Sequence, residues 1–385
     1  MGSLSRAVNI ADLRLMARAR LPRVVFDYLD GGAEDERTLR DNVRAFRRWN
    51  FRPRYGAKIP APDLGVTVMG QTLGWPAMTA PIGYSGLMHR DGERGVGRAA
   101  ARAGIASILS TISGTRLEDV AATGVKLFMQ IYLMGGREAG EATIARAQAA
   151  GVKGLFLTID TPVGGVRERD LRNGLAQLLG RDPFAKARYL PDILAHPGWL
   201  ADYLMGARMS HLPNVVIPGQ GPMPLIEVAS ALQRSQVGWD DVSWIRAQWK
   251  GPIAIKGLLT ADDARRAADL GADAVVVSNH GGRQLDGAAA GLDALPEVAG
   301  AVGGHCEVLM DGGIRRGADI VKALALGARA VLLGRGSAYG LAAAGEKGVD
   351  RALAIVQADL ARTMMLLGCA SVAELGRAQL ERRLR

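Results

Sequence analysis

Eight short apolar runs, separated by helical patterns, set the strongest limit on what this chain can fold into. They are WPAMTAPIG (75–83), ASILS (106–110), KLFMQIY (126–132), GLFLTID (154–160), PIAIKG (252–257), AVVVSNH (274–280), EVLMDGG (307–313) and AVLLGR (330–335). They are apolar throughout rather than alternating, the mark of parallel strands covered on both faces. Helical stretches lie between them. Thr260 and Asp263 open one in a capping-box-like pattern, and Gly271 stops it. Residues 137–151 and 317–327 read as two more. Eight such units predict an α/β fold, a (β/α)8 TIM barrel. A doubly wound sheet is the alternative, but it explains the alternation without calling for eight units.

Two regions break the rhythm within a single expected domain, 1–385. Residues 1–70 form an N-terminal extension, with an amphipathic helix (ADLRLMARARL) followed by VVFDYLDGG. Residues 168–238 form an insertion after strand four. It is far longer than an ordinary βα connection, which predicts a functional or mobile segment.

Composition narrows the partners. Of 385 residues, 48 are Lys or Arg and 38 Asp or Glu, a net charge of +10. Nucleic acid, an anionic membrane and an anionic small molecule are the candidates. Nucleic-acid binding predicts basic residues interleaved with exposed aromatics; aromatics are 5% of the chain and form no such stripe. The two cysteines, Cys306 and Cys369, sit in no CxxC, so two reduced thiols and no metal site are expected. No signal-peptide pattern opens the chain, and no uncharged apolar run reaches the ~18–20 residues of a membrane span. A cytoplasmic protein, soluble or peripheral on a membrane, is the expectation.

Barrels gather function at the C-terminal ends of their strands. Here those ends carry Gln130 and Tyr132, Thr158 and Asp160, Lys256, Ser278 to His280, Asp311 to Gly313, and Gly334 with Arg335. DGGIRRG (311–317) and LGRG (333–336) place Gly313, Arg315, Gly334 and Arg335 after strands seven and eight, where barrels often hold phosphate. In SNHGGRQLDG (278–287), His280 suits a general base, with Asp160 its orienting carboxylate. Arg283 is placed to fork onto a substrate carboxylate. His89, His196, His211 and His305 read as ordinary residues. His196 lies in an HPGW sequence faintly like a haem motif, but no haem domain accompanies it.

These motifs, with LPRVVFDYLDGGAEDE, TAPIG, FMQIY, LTIDTP, RERDLRNG, IKG and LLGC, resemble the FMN-dependent 2-hydroxy-acid dehydrogenase/oxidase family. Its members include glycolate oxidase, L-lactate dehydrogenase and (S)-mandelate dehydrogenase. The resemblance covers nearly the whole chain and implies oxidation of an (S)-2-hydroxy acid to the 2-oxo acid. It implies that Ala80, Pro81, Ile82 and Gly83 lie against the flavin, and that Ser110, Gln130, Thr158 and Ser278 bond to it. Lys256 would face N1 and O2, Asp311 the ribityl chain, and Gly313, Arg315, Gly334 and Arg335 the phosphate. Tyr28, Arg167 and Arg283 would hold the substrate carboxylate, and Tyr132 the 2-hydroxyl. His280 would be the base and Asp160 its partner.

Departures point within the family. Gly83 stands where plant-type oxidases have alanine, as in the lactate and mandelate dehydrogenase branch, which implies a quinone or other carrier as electron acceptor. Ile112 replaces a tryptophan of glycolate oxidase, implying a differently shaped pocket. HPGWLADYL and RERDLRNG resemble the mandelate branch, where this region meets a membrane. Trp199, Leu200, Tyr203, Leu204 and Met205, with Lys186, Arg188 and Arg208, suit an anionic surface; a lid or oligomer contact is the other reading. A homo-oligomer is implied by resemblance. An oxidase producing hydrogen peroxide, or a member recruited to modify a peptide, are the competing functions. Intact Arg167 and Arg283 oppose the peptide.

Overall fold

The computed structural model describes residues 4–383 except 175, 176, 179–181, 183, 185, 186 and 207–209. Eight parallel strands close into a barrel: β1 (Ala77–Thr79), β2 (Ala106–Leu109), β3 (Lys126–Ile131), β4 (Leu155–Thr158), β5 (Ile253–Leu258), β6 (Ala274–Val277), β7 (Glu307–Met310) and β8 (Ala330–Leu333). β4 pairs with β5 across the insertion, Ile253 opposite Leu155. β8 returns to β1, Val331 opposite Ala77. The sheet therefore has no edge, which settles the (β/α)8 barrel against the doubly wound alternative.

The strands look uniformly apolar because both faces are buried. Met78, Phe128, Phe156, Val276, Leu309 and Leu332 fill the barrel interior. Their chain neighbours Ala77, Leu127, Leu157, Val275, Val308 and Leu333 face the helices. Phe128 and Phe156 meet edge to face at 5.7 Å. A two-stranded ribbon, Val66–Val68 with Gln71–Leu73, belongs to the interior cluster and plugs the N-terminal end of the barrel. There the Met69 N–H donates to the Glu307 carboxylate at the start of β7, 2.9 Å.

The N-terminal extension is held on several sides. Helix Ile10–Arg20 starts at a reciprocal Asn9–Asp12 capping box and buries Ile10, Leu13 and Ala17. That face packs on the helical segment Arg335–Leu367, which is broken at Ala344–Gly345. Helix Arg23–Asp30 carries Tyr28, and helix Arg37–Arg44 carries Asn42. Strand Trp49–Phe51 pairs antiparallel with Leu380–Arg382, joining the two ends of the chain.

Within 168–238 lie helices Glu168–Asn173, Leu190–Leu194, Pro197–Met205 and Val228–Arg234, and an antiparallel ribbon, His211–Ile217 with Gly221–Pro224. The second half is packed: Leu212, Val215, Met223, Leu225 and Val228 bury against Ile112 and Met134. The first half leaves Leu190, Leu194, Leu204 and Met205 exposed. Trp199 corrects the expectation of a surface anchor. It is 2% exposed, its indole N–H donates to the Leu87 carbonyl at 2.7 Å, and its ring stacks on Tyr203. Its burial follows from this indole bond and from Asp202 beside it, which pairs with Arg20 inside the fold. Arg188 lies over the Tyr189 ring; Lys186 and Arg208 lie outside the described residues. Among the described residues no helix is long and apolar enough to cross a membrane.

Candidate active site

The floor of the barrel mouth is a closed set of polar bonds. Lys256, near the end of β5, donates to Ser278 Oγ at 2.9 Å and pairs with Asp311 at 3.1 Å. Ser278 in turn donates to Asp311 at 2.7 Å. Burial alone would push the Lys256 ammonium down, but Asp311 and Asp160 outweigh it and hold it above its usual value. A buried, permanent positive charge therefore sits at the centre of the mouth. Beside it the Gln130 amide donates to Thr158 Oγ1 at 3.1 Å and accepts from Ser110 Oγ at 3.3 Å. Thr111, which sequence reasoning passed over, donates to the Gln130 carbonyl at 2.6 Å and accepts from the Tyr132 N–H at 3.0 Å.

His280 stands above this floor in a left-handed conformation, φ 58°. Such a backbone costs about 1–2 kcal/mol for a non-glycine residue. It is held because the His280 N–H donates to Ser278 Oγ at 3.0 Å. Asn279 anchors the same turn through a double amide bond with Asn42, 2.8 Å each way. His280 Nδ1 lies 3.0 Å from Asp160 Oδ1, and Nε2 lies 3.5 Å from the Tyr132 hydroxyl. A carboxylate accepts only, so Nδ1 carries the proton and the Nε2 lone pair faces the mouth. Burial would raise the Asp160 carboxyl, but His280 and then Lys256 overcome it and hold Asp160 below the usual carboxylate range. Its Oδ2 is buried with no hydrogen-bond partner among the described residues.

Gly257 makes room for Asp160. A Cβ there would sit 2.5 Å from the Asp160 Cβ, and its φ is +109° in the irregular pairing after Lys256. The IKG sequence held this signal, since a glycine inside a strand pattern marks a bulge or close approach.

Tyr28, Arg283 and Arg167 form a second cluster, near enough to Tyr132 to act on its hydroxyl. Arg283 lies 5.0 Å and Arg167 5.9 Å from the Tyr28 ring centre. Arg283 donates to the Tyr28 and Gly31 carbonyls at 2.8 and 2.9 Å. Burial, then the like charge of Arg167, pushes the Arg283 guanidinium down to about 10. Burial drives the Tyr28 and Tyr132 hydroxyls upward, so both stay protonated donors. Tyr28 donates to the Gly83 carbonyl at 3.3 Å. Two crowded guanidiniums beside a protonated phenol can bind a carboxylate.

At the far end, Gly313 passes so close under the extension that a Cβ would meet the Asn42 carbonyl at 2.0 Å. Gly334 precedes a helix start at Arg335 that no side chain caps. The Arg315 guanidinium keeps donors to spare: among the described residues it makes one hydrogen bond, to the Ile314 carbonyl at 2.8 Å. Arg335 is more committed than its motif suggests. It donates to the Leu29, Gly281 and Gly31 carbonyls at 3.1, 2.9 and 2.6 Å, tying extension to barrel.

A closed parallel barrel with a histidine–aspartate pair, an arginine pair and a glycine–arginine anion seat at one mouth defines a cofactor-dependent enzyme acting on an anionic substrate. The model of the FMN-dependent dehydrogenase family matches residues 17–382, and the chain belongs to that family. A putative L-lactate dehydrogenase of Mycobacterium tuberculosis is 41% identical, over 97% of this chain and 88% of that one. An L-lactate oxidase of a Nostoc species is 40% identical, over 97% and 98%. The crystal structure of the monotopic membrane protein (S)-mandelate dehydrogenase superposes with a TM-score of 0.91 at 38% identity, covering 98% of this chain and all of that one. The chain is an FMN-dependent oxidoreductase acting on 2-hydroxy acids.

The residues present fit FMN. Gln130, Thr158, Lys256 and Ser278 offer a buried polar edge for a flat ring, Asp311 an acceptor for a polyol, and Arg315 with the uncapped helix start an anion seat.

Proposed function

We propose that this enzyme oxidises an (S)-2-hydroxy acid with an apolar side chain, mandelate ahead of L-lactate, and passes the electrons to a quinone or other carrier at a membrane surface. The observation that carries it is His280 poised between Asp160 and Tyr132, with Arg283 and Arg167 close enough to act on the Tyr132 hydroxyl. Arg167, Arg283 and the Tyr28 hydroxyl bind the substrate carboxylate. Tyr132 donates to the 2-hydroxyl and to the oxo group that replaces it. Of the two protons released, His280 Nε2 takes one, and Asp160, held ionised, stabilises the imidazolium. Bound FMN supplies the two-electron acceptor. Ala80 to Gly83, Ser110, Gln130, Thr158 and Ser278 would hold its ring, Asp311 its ribityl chain, and Gly313, Arg315, Gly334 and Arg335 its phosphate. Lys256, buried and held charged by Asp311, would supply preorganised positive charge against that ring.

The side-chain preference rests on Ile112. It packs with Tyr84 and Tyr132 in an apolar cluster shared with the insertion ribbon. A Cβ on Gly83 would lie 3.3 Å from it. An apolar wall suits a phenyl group better than a methyl alone, by about 25 cal/mol per Å2 buried. L-lactate is the second reading, favoured by the 40–41% identical relatives. Peripheral attachment is supported by exposed Leu190, Leu194, Leu204 and Met205 and by the membrane-bound mandelate dehydrogenase. The test is kcat/KM for (S)-mandelate against L-lactate, with a soluble quinone analogue and with oxygen. Mandelate and quinone should be preferred; faster lactate turnover, or rapid peroxide formation, would overturn the respective half of the reading.

A further inference from the structure

A cavity of about 530 Å3 opens where the start of helix Gly92–Arg102, the loop after β2 and the insertion ribbon meet. No residue placed around the flavin or the substrate lines it. Its charged side chains are Arg90, Arg94 and Arg116 against one carboxylate, Asp119. The acidic neighbours of these arginines are distant or already committed. Arg94 is 3.6 Å from Asp119. Arg116 is 3.4 Å from Glu118, but Glu118 takes two shorter bonds from Arg146, 2.8 and 2.9 Å, which hold its carboxyl at about 2. Arg90 is 3.5 Å from Asp202, and Asp202 is bonded to the buried Arg20. Among the described residues, three half-exposed guanidiniums thus share one uncommitted carboxylate.

What sits on the rim sets the kind of anion. Gly206 lines the cavity, and just before it helix Pro197–Met205 ends in Leu204 and Met205, 53% and 63% exposed. Arg90 Nη1 lies 3.8 Å from the Met205 sulfur. A basic seat one side chain away from an exposed apolar tip matches a molecule whose anionic group and hydrocarbon are joined. We propose that this cavity seats the phosphate of an anionic glycerophospholipid while Leu204 and Met205 enter the acyl boundary. The inference rests on the reading that the insertion meets a membrane, and it names the contact.

The test is co-sedimentation of the FMN-loaded enzyme with phosphatidylcholine vesicles, with and without phosphatidylglycerol. The variants are Arg90→Gln/Arg94→Gln/Arg116→Gln and a charge-matched control, Arg18→Gln/Arg47→Gln/Arg362→Gln, at exposed arginines on other elements. The expected result is a loss of phosphatidylglycerol affinity of about 100-fold in the cavity variant, at roughly tenfold or less per arginine, with little change in the control. Equal losses in both would assign binding to diffuse charge and overturn the proposal, as would a cavity variant that binds like wild type. Inorganic phosphate is the second probe. If it raises the wild-type Tm but not that of the cavity variant, and vesicles do not bind, the seat takes a soluble phosphate and the lipid is ruled out. Anaerobic flavin bleaching by mandelate is read in every variant. Intact bleaching with lost vesicle binding separates this inference from the proposed reaction.

Discussion

On the floor of the barrel mouth, Lys256, Ser278 and Asp311 satisfy one another within 3.1 Å. In the first half of the insertion, Leu190, Leu194, Leu204 and Met205 are exposed, with nothing among the described residues to cover them. Both regions depart from ordinary folding economy, in opposite senses. The floor concentrates buried charge that is expensive unless fully paired, so its geometry is nearly determined by the need for pairing. The insertion carries apolar surface that is costly unless something else covers it. The floor is therefore the place for chemistry that demands fixed atoms, and the insertion the place where the proposed membrane contact would form.

Each region can be broken separately. The largest effect is expected at His280. His280→Asn should retain FMN and lower kcat by about 10²–10⁴-fold, the usual range for a positioned acid or base. Loss of FMN in that variant would show that the floor is not preorganised. Arg283→Met should come next, raising the Kd for a 2-oxo-acid product by about 100-fold, because truncating a buried charged partner costs about 2–5 kcal/mol. Unchanged affinity would remove Arg283 from the carboxylate clamp.

A smaller effect is expected at the joint between the regions. Asp30 accepts from Arg14 at 2.6 and 2.8 Å, from Arg169 at the start of the insertion at 3.1 Å, and from Tyr339 at 2.7 Å. Burial opposes ionisation there, but these donors prevail and lower the carboxyl from 3.8 to about 2. The folded value is depressed, so the stabilisation is complete above about pH 4 and disappears as pH falls through about 2. It amounts to about 2 kcal/mol. Urea unfolding of wild type and Asp30→Asn should differ at neutral pH and converge towards pH 2; a pH-independent gap would contradict the assignment. The smallest effect on chemistry belongs to Leu204→Ser/Met205→Ser. Turnover with a soluble acceptor should be unchanged and stability within about 0.5 kcal/mol, while vesicle binding falls. A loss of turnover would mean the insertion acts as a lid.

The same contrast explains what could be read from the sequence. All eight strands, and Asp160, Lys256 and His280 at their ends, were legible because strands buried on both faces leave an unbroken apolar signature and barrels place polar groups where it stops. The Asn42–Asn279 pair was not, because its partners are 237 residues apart and nothing local links them. Trp199 was misread as a surface anchor because composition shows that a segment is apolar but not which face turns inward. The basic cavity was invisible because Arg90, Arg94 and Arg116 are separated by ordinary helix and loop sequence, and their excess charge depends on acids already committed elsewhere.

The central claim is that the mouth of this barrel takes two protons and two electrons from a 2-hydroxy acid, His280 accepting one of the protons and bound FMN the electrons. Anaerobic rapid mixing of the FMN-loaded enzyme with (S)-mandelate tests it directly. The account predicts that the yellow flavin band bleaches in wild type and stays unbleached on the same time scale in His280→Asn with FMN still bound. Wild-type flavin left oxidised by mandelate, L-lactate and every other 2-hydroxy acid tried would contradict it.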